Sequence, residues 1–286
     1  MSSHDNPAER EIARIEAERV EFKKTAERTL RGLFADVLPS EVLESRLSVL
    51  RKTVFVTRQE LDRMGEENPK EDGADGLIRY QVDGHEVRRS AVVLHSASRA
   101  ETLHTLLHEG SHLMAPESYV AVDYMRDEDE QVYSVYLGPL RHSRFVKTGE
   151  VDPLSVDFRH KPAQRALFWE AVTDWLADEA LKDILTEKEK EEVSTSGYLE
   201  RHYIQYLVDH APDRPTLVRA VNEAYATGSE DPFRLAMEKL SGTKDDVFYE
   251  ELLDVLKIGI DRWEERIEKW MEVVDTYFAK GKLSVL

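Results

Sequence analysis

His108-Glu109-Gly110-Ser111-His112 holds two imidazoles and a carboxylate at a spacing that suits metal chemistry. Side chains four positions apart on a helix lie on one side, a turn apart. On a helix, His108 and His112 would turn two ring nitrogens toward one zinc ion, each at about 2.0–2.1 Å. Glu109 would point off that line toward the metal's open position, where it can hold a water and take its proton.

The flanking residues predict that helix. Ser98 is an N-cap residue, and Glu101 three positions on completes the pattern of a capping box. Leu103, Leu106, Leu107 and Leu113 supply apolar positions that pack the run from Ser98 to Met114 into a core. Unpaired imidazoles would be poorly solvated on so apolar a helix. Small Gly110 and Ser111 suit close packing or a substrate passing nearby. Just upstream, Val87 to His95 has the β-branched content of a strand.

Two histidines leave a catalytic zinc short, since such sites take three protein ligands and keep one position for water. After a long gap, the run Phe168-Trp169-Glu170-Ala171-Val172-Thr173-Asp174-Trp175-Leu176 again places two polar groups four apart among large apolar residues. Glu170 is the expected third ligand. Asp174 is expected to accept the free ring N–H of a zinc-bound histidine, fixing its tautomer and raising its basicity.

HEGSH followed by WEAVTD resembles the gluzincin metallopeptidases, the thermolysin-like clan, in which H-E-x-x-H is completed by E-x-x-x-D on a second helix. The resemblance spans roughly residues 85 to 180 and rests on those two motifs. It implies His108, His112 and Glu170 as zinc ligands, Glu109 as general base and acid, and Asp174 as the partner behind a ligand. It also implies that the C-terminal helices supply a donor to the reaction's oxyanion; Tyr198 is nominated, with His202 or Tyr203 as substitutes. The metzincin pattern is excluded, because Ala115 and Ser118 stand where Gly and His would be needed. Asp123 has no supporting motif as a ligand, His142 and His160 read as surface histidines, and His104, one turn before His108, reads as a packed residue or a partner behind a ligand rather than a ligand.

Composition narrows the function classes. The chain has 286 residues, no cysteine and a net charge of −18. Neither a disulfide framework nor a thiolate metal site is available, and the acidic balance argues against nucleic acid as a partner. No run approaches the apolar length of a membrane span. The first 20 residues lack an apolar signal-peptide core, so the expected location is the cytoplasm, or outside by a route without such a signal.

Along the chain, residues 1–45 read as an N-terminal helical segment, with Ile12, Ile15, Val20, Phe22, Leu30 and Leu33 as its apolar positions. Residues 46–185 read as the catalytic region, with a hairpin signalled by Asp83-Gly84 and a β-rich insertion over 115–162 between the two metal helices. Residues 186–286 read as a helical subdomain whose last helix runs from Asp245 to Ala279. The expected class is α+β and zincin-like: a small, mostly antiparallel sheet, an active-site helix, a glutamate helix and a mainly helical C-terminal subdomain. The expected function is zinc-dependent hydrolysis of peptide bonds in a peptide or protein substrate. Two alternatives stand beside it: a non-catalytic interaction protein with a structural zinc, and a helical adaptor carrying the motif by chance.

Overall fold

The computed structural model describes residues 7–66, 75–83, 86–96, 98–116, 119–120, 130–137, 140–147, 163–194 and 200–284. The chain opens with α1 (Pro7–Phe34) and α2 (Ser40–Leu50), followed by β1 (Val54–Val56), α3 (Arg58–Glu66), β2 (Gly76–Asp83) and β3 (Glu86–Leu94). Next come α4 (Arg99–Leu113), β4 (Tyr119–Val120), β5 (Glu130–Leu137) and β6 (Leu140–Lys147). The remainder is helical: α5 (Ala163–Leu181), α6 (Glu187–Ser194), α7 (Arg201–His210), α8 (Arg214–Thr227), α9 (Asp231–Ser241), α10 (Val247–Val255) and α11 (Trp263–Ser284).

This corrects the expected fold class. The protein is mostly helical, and the α+β, zincin-like arrangement around a mostly antiparallel sheet is not its class. The reason lies in what fills the core. Among the described residues the main buried cluster runs from Phe22 to Phe278, and strands give it only Phe55, Ala91 and Val93. Helical faces supply nearly all the rest. At that core, β1 lies parallel to β3, with Val54 opposite Val92 and Val56 opposite Leu94. β2 pairs with β3 from Gly76 opposite Val93 to Asp83 opposite Glu86, and β4 continues from Glu86 toward β5 and β6.

α4 is the central element, in contact with α1, α2, α5, α6, β2 and β3. Leu103, Leu106, Leu107 and Leu113 are all buried, and so are Thr102, Gly110 and Ser111, so this helix has almost no solvent face. Ser98 caps it by accepting the Glu101 N–H at 3.4 Å. The reciprocal half of a capping box is missing, because the Glu101 carboxylate turns to the Ser96 hydroxyl and Ser98 Oγ donates to Glu192 at 3.0 Å. At the other end two buried guanidiniums meet the last carbonyls of the helix, which have no partner within it. Arg46 donates to Met114 O, while Arg89 donates to Leu113 O at 3.5 Å and Ala115 O at 3.2 Å.

α1 lies along α4 through Phe22, Ala26, Leu30 and Phe34, which recur every four residues and are all buried. Ile12 and Val20 fall off this stripe and are exposed, contrary to their reading as apolar packing positions. The expected single helix from Asp245 to Ala279 is also broken. α10 ends at Val255, and α11 begins only after Gly259 and a 3₁₀ turn over Ile260–Arg262. The break folds the two pieces onto each other, stacking Phe248 on Tyr277 with ring centroids 4.6 Å apart, and leaves Trp263 exposed rather than in the core.

Gly110 sits where α4 crosses α1. A β-carbon there would lie 2.7 Å from Leu30 Cδ1 and 3.2 Å from Leu50 Cδ1. Gly110→Val should therefore overpack the crossing and destabilise the protein by about 1–3 kcal/mol. Shortening the opposing side chain in Gly110→Val/Leu30→Ala should cost less than the two single changes added together. Urea denaturation of the four proteins measures this coupling, and strict additivity would show that the two side chains do not compete for space.

Candidate metal centre

α5 carries the other half of the site. Phe168, Trp169, Val172, Trp175 and Leu176 are buried, so the helix is driven into the core on nearly every side. Hydrogen bonds then fix its rotation. Trp169 Nε1 donates to Glu230 at 2.7 Å, Thr173 Oγ1 hydrogen-bonds the Tyr225 hydroxyl on α8, and Trp175 Nε1 donates to Gln205 at 3.0 Å. Pinned on either side, Glu170 and Asp174 face α4.

The two helices bring His108, His112 and Glu170 together. His108 Nε2 and His112 Nε2 are 3.2 Å apart. Glu170 Oε2 lies 3.4 Å from the first and 3.3 Å from the second. Ligands held at about 2.0–2.1 Å by a tetrahedral ion stand about 3.3–3.4 Å from one another. The three edges of this triangle therefore match the donor spacing that zinc requires, and the donor set of two imidazoles and a carboxylate is one that zinc takes.

Asp174 lies behind the triangle. Its Oδ1 is 2.6 Å from His108 Nδ1, and its side chain is 3% exposed. A carboxylate only accepts, so Nδ1–H is the donor and Nε2 is the nitrogen that faces the triangle. His108 titrates well above the usual histidine range: burial opposes its charge, but the bonds to Asp174 and Glu170 more than offset that. Glu170 is likewise held well below the usual carboxylate range, with burial opposing and the charges and hydrogen bonds of His112 and His108 prevailing. The metal-free site thus favours a positive charge among its three donors.

Glu109 is buried on the same helix. The first residue of β2 is packed against it: a β-carbon on Gly76 would lie 2.8 Å from Glu109 Cγ, Glu109 Oε1 and Thr105 Cγ2. Only glycine lets the strand approach this closely. Sequence reasoning missed Gly76, and its one signal was a glycine opening a strand after a polar loop. Asp178 was missed too. It lies one turn along α5 from Asp174, with Oδ1 3.2 Å from His104 Nε2, the opposite ring nitrogen to the one Asp174 meets on His108. His104 is thereby placed beside Asp178 rather than among the three donors.

The remaining candidates fall elsewhere. Tyr203 is buried, stacked on Trp270 at 5.4 Å, and His202 lines a cavity with Asp178. His142 lies on β6. Tyr198, Asp123 and His160 lie outside the described residues. Compared with protein-family models, with curated proteins and with solved structures, the chain shows no match. The likeness to gluzincins therefore rests on the two motifs.

Glu230 anchors the start of α5. Besides Trp169 it accepts from Tyr249 at 2.8 Å and from Arg165 at 3.0 Å. Glu230→Ala should strand these donors and destabilise the metal-free protein by about 1–3 kcal/mol. Glu230→Gln, which keeps an acceptor oxygen, should lose less. Equal losses in urea denaturation would mean that the carboxylate only fills space.

Proposed function

We propose that the chain is a zinc-dependent hydrolase acting on peptide bonds. The observation that carries this reading is the His108–His112–Glu170 triangle, with edges of 3.2, 3.3 and 3.4 Å, backed by Asp174 at 2.6 Å from His108. His108, His112 and Glu170 would hold the metal. A zinc ion bound there supplies Lewis-acid polarisation of a carbonyl and lowers the pKa of a coordinated water. Glu109 takes the water's proton and delivers it to the leaving amine. Asp174 keeps His108 in the Nδ1–H tautomer and fixes its ring. Gly76 confines the Glu109 side chain.

The peptide substrate comes from the likeness of HEGSH and WEAVTD to the gluzincins, taken residue by residue. A structural zinc would have no use for Glu109, which favours the catalytic reading. A net charge of −18 disfavours nucleic acid and favours neutral or basic polypeptides. Among the described residues no helix is long and apolar enough to cross a membrane. A cytoplasmic site of action completes the proposal.

Elemental analysis tests the metal. Wild type should carry one zinc per chain and His112→Ala none, while Asp174→Ala should bind zinc about 10- to 100-fold more weakly in a chelator titration. Zinc absent from wild type, or retained in full by His112→Ala, would overturn the metal assignment.

A peptide-library cleavage assay tests the chemistry. Glu109→Gln should keep its zinc and lose at least about 100-fold in kcat. Gly76→Ala should also keep zinc and fold while kcat falls, because its methyl group displaces the Glu109 carboxylate. A fully active Glu109→Gln protein would rule out this general base even with the metal confirmed.

A further inference from the structure

α11 carries two rows of apolar residues. Trp270, Val273, Val274, Tyr277 and Phe278 are buried and hold the helix to the core. Trp263, Ile267 and Met271 recur every four residues and form a second row beside that face. Ile267 is partly buried against the core, whereas Trp263 is 54% and Met271 39% exposed. Ile260, in the turn that precedes the helix, extends the row and is 64% exposed. A tryptophan this open leaves much apolar surface in water, and large aromatic side chains are the usual anchors of protein interfaces.

Charge distinguishes the two exposed sides of α11. On the side away from the row, Arg262 pairs with Glu265 at 3.3 Å and Lys269 with Glu272 at 2.8 Å, so these charges neutralise one another. The side next to the row is different. Glu264 and Glu268 stand one turn before Ile267 and Met271, and Asp275 stands one turn after Met271. Among the described residues none of these three carboxylates meets a cation, and Asp275 accepts only from the Tyr206 hydroxyl, at 3.0 Å. An apolar row is thus bordered by charge of one sign.

That border selects the occupant. A second copy set face to face would bring the carboxylates against their own kind. An anionic membrane would repel them, since helices that lie on such surfaces carry Lys and Arg beside the apolar stripe. A helix with an apolar stripe edged by Lys or Arg satisfies both the row and its border. We propose that the Ile260–Met271 face of α11 docks a basic amphipathic helix of a partner protein. No residue of the metal centre takes part, and neither zinc nor hydrolysis is needed to detect the docking.

Trp263 reports on its own surface, because Trp169, Trp175 and Trp270 are buried. The probe is a synthetic amphipathic helix of leucine and lysine, titrated into the full chain, with a leucine–glutamate helix as control. The lysine peptide should saturably blue-shift Trp263 emission and shield it from acrylamide, and the glutamate peptide should do neither. Two exposed double variants separate docking from general attraction to an acidic chain. Glu264→Gln/Glu268→Gln strips the border and should bind at least about fivefold more weakly. Glu265→Gln/Glu272→Gln removes the same charge from the far side and should stay within about twofold of wild type. No saturable change in Trp263 emission, or equal weakening in the two double variants, would overturn the proposal. So would a dimer in sedimentation equilibrium that Trp263→Ser dissociates, or an equal blue shift on phosphatidylglycerol vesicles.

Discussion

The contact between α4 and α5 governs this structure, and within it the 2.6 Å hydrogen bond from His108 Nδ1 to Asp174. An ionised carboxylate buried as deeply as Asp174 is tolerated only with a partner. His108 is that partner, and the bond settles the ring's tautomer and direction together. With Nδ1 committed to Asp174, Nε2 faces His112 and Glu170. The three-atom triangle follows from one helix–helix packing and one buried pair.

Surrounding elements keep that packing in place. The Phe22–Phe34 stripe of α1 covers one side of α4, and the absence of a side chain at Gly110 lets Leu30 close against it. Arg46 and Arg89 satisfy carbonyls at the end of α4, next to His112. Glu230, reaching in from the residue before α9, holds Trp169 and hence the helical turn bearing Glu170. Each of these groups limits a rotation or slide that would pull the triangle apart. The requirement is severe, since a coordination site tolerates errors of only a few tenths of an ångström.

At the triangle, hydrogen bonds to Asp174 and Glu170 outweigh burial and hold His108 well above the usual histidine range. Between α5, α6 and α7, Arg201 stands beside Asp178, while Lys182, Lys190 and Arg214 are paired with Glu179, Glu187 and Asp209. Asp178 belongs to both neighbourhoods, facing His104 on α4 with one oxygen and Arg201 on α7 with the other.

Much of the centre was legible in the sequence because its chemistry is encoded at helical spacing. His108 and His112, like Glu170 and Asp174, are four residues apart, and the apolar residues around them announce helices that must be buried. Which helix faces which was readable only through the gluzincin likeness, and spacing alone does not contain it. The fold class was misjudged because β-branched runs such as Val87 to Leu94 do form strands, while the core is decided by how many faces the helices bury. Gly76 beside Glu109, Asp178 between His104 and Arg201, and Glu230 against Trp169 join residues from 23 to 74 positions apart, with no local pattern to mark them. The sequence by itself determined the donor types, their pairing along each helix and the acidic balance of the chain. The tertiary structure alone decided their separations, because these depend on which buried faces meet across the core.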